Sequence, residues 1–285
     1  MIAGNQGVAM TATAEIVDLE TLVGEIPDGV LLAVPPDYTG VPMAATFALI
    51  RRGTRALRLY CVPYSTLQAD VLIGAGRVAS IEAAAVTLGE IGLAPRFTAA
   101  VEAGTLTMRD STCPALHAAL QASEKGVPFM PLRGLLGSDI LAHRPDWSVI
   151  DSPFGTDDPI VLLPAVAPDV ALLHAPMADR DGNVWIGRRR EMATMVHAAR
   201  RTLFTVETIF DGSFYDTEAM AAGAIPALYV DAVAVAPRGA WPLGLAEHYD
   251  QDTAVLRRYA ELARTEQGFV RALEECFGIT LGVAA

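Results

Sequence analysis

The stretch from Val30 to Val62 most narrows what this chain can fold into. Two short apolar runs, Val30-Leu-Leu-Ala-Val and Leu57-Arg-Leu-Tyr-Cys-Val, flank Pro42-Met-Ala-Ala-Thr-Phe-Ala-Leu-Ile-Arg-Arg-Gly. The middle segment has a helical pattern that opens on proline and closes on Gly53. Strand, helix and strand in that order form a βαβ unit, whose two strands run parallel. The same alternation continues. Further strands are expected at Val71–Ile73, Ser80–Val86, Val170–His174, Leu203–Ile209 and Ala232–Ala236, and helices near Pro114–Lys125, Arg190–Arg201, Asp216–Ala222 and Thr253–Phe277. The order predicts an α/β fold, an open and mostly parallel sheet with helices on both faces. No Ser/Gly-rich linker or internal repeat divides the 285 residues, so a single domain over 1–285 is expected.

In such sheets ligands gather beyond the carboxyl ends of the strands, where the direction of connection reverses. Three loops qualify: Pro35-Pro-Asp-Tyr-Thr-Gly40, the Gly74-Ala-Gly76 turn, and the Ala175–Trp185 segment. Composition removes other partners. A net charge of −12 disfavours nucleic acid, which rewards a basic face. Every apolar run is interrupted by Pro, Gly or Asp before the roughly 20 residues that span a bilayer, so no membrane segment is expected. No basic residue precedes Arg51, a composition unlike signal or transit peptides, and a cytoplasmic location is the expectation. Cys61, Cys113 and Cys276 are widely spaced and are expected to be reduced, mostly as small buried hydrophobes.

Several chemistries fail on spacing. Lys125 is the sole lysine and ends a Glu-Lys-Gly helix terminus, so neither a P-loop nor a Schiff base is indicated. Gly74-Ala-Gly76-Arg-Val-Ala79 carries the letters of a dinucleotide fingerprint after a short apolar strand, but no acid about 20 residues on completes it, and a tight turn is the better reading. Asp179-Arg-Asp-Gly-Asn183 alternates oxygen-bearing side chains, yet the twelfth position is Arg190 where calcium needs glutamate, so Asp and Asn are expected to bond the backbone of the turn instead. No paired Cys/His spacing supports zinc, and His174 reads as a structural histidine at a strand end. Leu136-Gly-Ser-Asp139 lacks the second glycine of a nucleophile elbow. The Arg133–Asp139 loop still offers a guanidinium, a hydroxyl and a carboxylate to a substrate oxygen, or else an internal Arg133–Asp139 ion pair.

Asp169-Val-Ala-Leu-Leu-His-Ala-Pro-Met-Ala-Asp-Arg-Asp-Gly-Asn183, followed by Thr205-Val-Glu-Thr-Ile, resembles the α subunit of family I coenzyme A transferases. So do Ala69-Asp-Val-Leu-Ile-Gly-Ala-Gly-Arg77, Gly92-Leu-Ala-Pro-Arg-Phe97, Val101-Glu-Ala-Gly104, Gly126–Asp139, Gly239-Ala-Trp-Pro242 and Tyr249-Asp250, in that order along the chain. The resemblance implies the fold that these enzymes share with sugar-phosphate isomerases. It implies coenzyme A as a substrate, no permanently bound cofactor and, as partner, the β subunit of the CoA transferase, in an αβ pair or a dimer of pairs. CoA would move between an acyl-CoA and a carboxylic acid, the attacking glutamate coming from the β subunit. No catalytic residue is then expected in this chain, with Glu102 of Glu-Ala-Gly104 a weak candidate. Substrate contact would come from Arg133, Gly137, Ser138 and Asp139, with Arg133 pairing a carboxylate of a dicarboxylic or 3-oxo acid. CoA is anionic, so a cationic pocket is required within an acidic chain.

Two departures from the family pattern keep other readings open. The loop after the first strand, glycine-rich in the family, holds Pro35-Pro36 here, and proline removes backbone donors. One branch of the family hydrolyses or opens ring-containing acyl-CoA compounds with an acid that lies just before a helix of the α chain, where this chain has Asp110 and Cys113. A third reading is a non-enzymatic metabolite-binding protein on the same fold.

Overall fold

The computed structural model describes residues 14–281. The extreme N-terminus, part of the stretch screened for targeting signals, lies outside them, as do the ends of the 1–285 domain span. In chain order the elements are β1 (Glu15–Val17), α1 (Leu19–Gly24), β2 (Leu31–Val34), α2 (Met43–Arg52), β3 (Leu57–Cys61), β4 (Tyr64–Ser65), α3 (Leu67–Gly74), β5 (Val78–Ala83), β6 (Ala85–Val86), α4 (Pro95–Glu102), β7 (Thr107–Asp110) and α5 (Cys113–Glu124). There follow β8 (Phe129–Leu132), β9 (Ser148–Asp151), β10 (Pro159–Pro164), β11 (Val170–Asp179), β12 (Val184–Trp185), α6 (Arg190–Ala198), β13 (Thr202–Phe210), α7 (Glu218–Ala221), β14 (Ala224–Ile225), β15 (Ala232–Val235), α8 (Thr253–Leu262) and α9 (Glu266–Phe277).

The main sheet runs β1-β15-β13-β11-β2-β3-β5-β7, every neighbouring pair parallel. Alternation along each strand sends side chains to two cores. Leu32, Val34, Leu59, Cys61 and Leu172 face a layer that includes residues of α1, α2, α3, α8 and α9. Ala33, Tyr60, Ala171 and Leu173 face a second layer with residues of α5 and α6. The expected two-sided α/β architecture is therefore present. From β2 the chain adds β3, β5 and β7 on one side, then returns beside β2 as β11 and adds β13 and β15 on the other. The switch point lies between β2 and β11. Residues between α5 and β11 form an excursion built on a separate antiparallel sheet, β8-β10-β9. Arg144 ties it to the main sheet, its guanidinium 2.8 Å from Glu82 at the end of β5 and 3.0 Å from the Asp110 carbonyl at the end of β7.

Three expectations are corrected. The segment around Val71–Ile73 is helix α3, not a strand. Leu67, Ala69, Val71 and Leu72 are all buried, and an apolar run covered on every side has no periodicity to separate helix from strand. Gly74-Ala-Gly76 consequently closes a helix, with Gly76 at φ 68° and its N–H donated to the Ile73 carbonyl. A dinucleotide turn needs the opposite polarity, a strand feeding a helix N-terminus. The closing helix is two, α8 and α9, because Thr265 caps the second by accepting from Gly268 N–H at 3.0 Å. Finally, only Cys61 is a buried cysteine. Cys113 is exposed in the first turn of α5 and Cys276 is half-buried.

Candidate functional site

Loops leaving the carboxyl ends of β2, β3, β11 and β15 enclose a groove of three hollows that share lining residues. The outer one, about 620 Å³, is lined by Tyr38, Trp185, Arg188, Arg189, Arg190 and Glu191, with Ala246 and Glu247. The middle one, about 300 Å³, shares Tyr38 and Ala246 with it and adds Asp37, Leu243, Tyr249 and Gln251. The inner one, about 170 Å³, shares Asp37, Leu243 and Gln251 and adds Thr66, Leu67, Leu88 and Leu256. Their location at the switch point and their combined size suit a ligand with distinct parts. Another hollow of about 570 Å³, lined by His197, Arg200, Arg201 and Tyr229 among others, lies where β13 and β15 begin, at the edge of the sheet opposite the switch-point loops.

The groove's floor is held by a polar chain on adjacent strands. His174 of β11 and Thr205 of β13 are register partners, and both are fully buried. His174 Nδ1 lies 2.8 Å from Thr205 Oγ1, and Nε2 lies 2.8 Å from Glu207 Oε1. Burial lowers the imidazole pKa against the pull of Glu207, so the ring is neutral. Thr205 then donates to Nδ1, and Nε2–H donates to the carboxylate. Glu207 also accepts from Tyr249 O–H at 2.6 Å, Arg238 N–H at 2.5 Å and Gly239 N–H at 3.2 Å. Burial raises its pKa, but these donors outweigh burial and hold the carboxyl at about 2. The backbone closes in on both sides of His174. A Cβ on Gly40 would collide with the His174 carbonyl oxygen, and one on Gly239 would collide with Cε1 of the ring. His174 is thus structural, clamping the Pro35–Gly40 loop and the loop after β15 to the strand ends.

On this floor Tyr64 O–H donates to Asp37 Oδ1 at 2.5 Å, which fixes the proline loop against the end of β3. Burial, followed by that bond, raises the Tyr64 pKa well above its ordinary value. Asp179 shapes the turn after β11. Its carboxylate accepts from the N–H groups of Asp181 and Asn183 and from the Asn183 amide, so both oxygens are spent on protein donors. Beyond it, Arg188 lies 3.5 Å from Glu247, while Arg189 donates to the Ile186 and Ala246 carbonyls. Neither Arg189 nor Arg190 forms an ion pair among the described residues. No cluster of three or more metal-ligating side chains occurs among them, and no helix there is long and apolar enough to cross a membrane.

Of the loops chosen from sequence, Pro35–Gly40 and the end of Ala175–Trp185 reach the groove, and Gly74–Gly76 does not. Arg133, Gly137, Ser138 and Asp139 lie together on the excursion, away from the three hollows. Arg133 pairs with Asp158 at 2.5 Å, not with Asp139, and Ser138 accepts from Ile140 N–H at 3.3 Å. Glu102 is exposed at the end of α4, on the edge where the parallel strands begin, opposite the groove. Asp110 ends β7, and Cys113 follows three residues later. Arg188–Arg190 were not singled out from sequence, although they are the one run of three consecutive basic residues in the chain. Thr66 carried no sequence signal.

A family model described as coenzyme A transferase matches residues 16–236. The chain is 31% identical over 271 residues to a 3-oxoadipate CoA-transferase subunit of Pseudomonas knackmussii, covering 92% of this chain and 93% of that one. It is 31% identical over 246 residues to a glutaconate CoA-transferase subunit of Acidaminococcus fermentans, covering 80% and 76%. The crystal structure of glutaconate CoA-transferase from that organism superposes with a TM-score of 0.85 at 27% identity, covering 93% of this chain and 90% of the matched one. A variant of the decarboxylase AibA/AibB superposes at 0.82 with 32% identity, covering 94% and 100%. The chain belongs to the coenzyme A transferase family.

Proposed function

We propose that this protein is the α-type subunit of a two-subunit CoA transferase, moving CoA between an acyl-CoA and a carboxylic acid. The observation that carries this reading is the groove at the switch point, cationic at its outer end in a chain of net charge −12. Three guanidiniums beside Tyr38 and Trp185 suit the phosphates and adenine of CoA, because arginine pairs phosphate oxygens and stacks on aromatic faces. Two relatives named as one subunit of a CoA transferase support a second chain as partner. The attacking glutamate is assigned to that partner: Glu102 lies on the edge opposite the groove, and Asp37 is already engaged by Tyr64. The Arg133–Asp139 loop is assigned to the contact with the partner and to substrate held between the two chains. CoA is the substrate, with no resident cofactor, and the single domain spans the chain.

One structural observation favours a second reading. The match to a decarboxylase at 32% identity, together with prolines in the loop after β2, points to other acyl-CoA chemistry on the same scaffold, hydrolysis or bond cleavage without transfer. CoA exchange between labelled acids and a panel of acyl-CoAs, with this chain alone and with its partner, separates the readings. Exchange requiring both chains is expected. Thioester loss without exchange, or release of CO2 with the thioester retained, would establish the second reading. Exchange by this chain alone would move the nucleophile here, with Asp37 first for substitution and Glu102 second.

A further inference from the structure

The inner hollow is lined by Thr66 and Leu67, which open helix α3; Ser65 accepts from the Ala69 N–H at 3.3 Å, and the donors ahead of it are unused. Helix α3 is eight residues long, and its N-cap, Thr66, makes no capping bond. Thr66 is 3% exposed and lines the hollow, yet its hydroxyl has no hydrogen-bond partner among the described residues. Leu67 and Gln68, the first two residues of the helix, make no backbone N–H bond among them either. A buried hydroxyl without a partner costs free energy, and so does a buried helix start. Thr66 and Leu67 share this hollow with Asp37 of the proline loop, whose Pro35 and Pro36 supply no N–H.

We infer that Thr66 and the first turn of α3 receive the carbonyl oxygen of the acyl thioester, and that the inner hollow holds a short uncharged acyl chain. The inference rests on the proposed acyl-CoA chemistry. When a carboxylate oxygen attacks the thioester carbon, the C=O electron pair moves onto oxygen. That oxyanion then collapses, the C–S bond breaks, CoA leaves as thiolate, and an acyl anhydride remains. Donors at a helix N-terminus stabilise the oxyanion, helped by the positive end of the dipole. The other lining residues define the chain attached to this carbonyl. Leu67, Leu88, Leu243 and Leu256 make the wall apolar, and the carboxyl groups of Asp37 and Glu90 give a distal carboxylate no cationic partner there. At about 170 Å³ the hollow is the smallest of the three, which suits a short chain.

The test uses the complex of this chain with its partner and compares wild type with Thr66→Val and Thr66→Ser. Valine keeps the shape and removes the hydroxyl, whereas serine keeps the hydroxyl. The expected result is a kcat roughly 30- to 300-fold lower for T66V with KM changed little, T66S within about threefold of wild type, and a melting temperature of T66V no lower than that of wild type, since valine removes an unpartnered buried hydroxyl. With butyryl-CoA labelled at the carbonyl, the infrared C=O band should move to lower wavenumber on binding to wild type and less so with T66V. Butyryl-CoA should also be used at least about tenfold better than glutaryl-CoA. Normal kcat and an unchanged band in T66V would overturn the carbonyl assignment, and equal use of glutaryl-CoA would overturn the acyl class. Either failure leaves the proposed function standing, provided wild type still exchanges CoA. If no acyl-CoA binds or turns over, the function itself falls.

Discussion

At the scale of single residues, the most constrained group is Glu207. Its two oxygens receive four donors, three from the segment after β15 and one from His174 beneath the proline loop. A carboxylate held at about 2 stabilises the fold through its charged form. The sign follows from linkage. The folded pKa lies below the unfolded value of 4.5, so the contribution is complete above about pH 4.5 and disappears as pH falls toward 2. A difference of that size corresponds to at most roughly 3–4 kcal/mol. Glu207→Gln should therefore lower stability near neutral pH by about 1–3 kcal/mol and flatten its acid limb. Urea unfolding at several pH values from acid to neutral measures this, and a mutant curve parallel to wild type would show that Glu207 carries no linked stabilisation. Little of this network was legible in the sequence. His174 ends an apolar strand and could be read as structural, but its ring partners Thr205 and Glu207, and the Gly239 and Tyr249 donors that Glu207 gathers, come from distant segments that only the fold brings together.

At the scale of elements, legibility followed periodicity. The βαβ unit was readable because α2 has a proline start and a Gly53 stop, and Gly53 does sit in the left-handed region at φ 82°. Helix α3 was not readable, since its burial on all sides erased the pattern that distinguishes it from a strand. That error also hid the inner hollow, because a strand at Val71–Ile73 leaves no helix start at Thr66. The outer hollow was reached from sequence only through Tyr38 and Trp185 of two chosen loops; its arginines were missed, because only the return of Glu247 and Ala246 makes them a wall. Assigned to CoA phosphates, they make a sharp prediction. The double variant Arg188→Ala, Arg190→Ala should raise KM for acyl-CoA about tenfold or more and leave KM for the matching acyl-pantetheine, which lacks the nucleotide, unchanged. The acyl-CoA effect should also shrink at high salt, because these side chains are exposed. An equal effect on both thioesters would show that the arginines act on fold or acyl group instead.

At the scale of the whole molecule, the excursion exposes apolar surface that a solitary chain has no use for. Phe154 is 97% exposed on the turn between β9 and β10, and Phe129, Val149 and Ile150 are also exposed on the same three-stranded sheet. β9 is an edge strand exposed along its whole length, an arrangement that natural proteins usually cover or charge. Arg144 and Asp146 anchor this sheet above the carboxyl ends of β5 and β7. Burial raises the Asp146 pKa, but its ion pairs with Arg144 and Arg109 prevail and hold it at about 2. This exposed apolar surface, with Phe129 and Ile150 on one side of the sheet and Val149 on the other, is thus held beside the carboxyl ends of the strands, where the proposed partner would dock. Alone, the chain should self-associate at micromolar concentration. With its β-type partner it should form a complex of defined mass. Phe154→Asp should weaken that complex about tenfold or more without changing the melting temperature of the isolated chain, since an almost fully exposed ring contributes little packing. Sedimentation of wild type and variant, with and without the partner, decides the matter. A monodisperse solitary chain that exchanges CoA, or an F154D complex as tight as wild type, would remove the excursion from the interface.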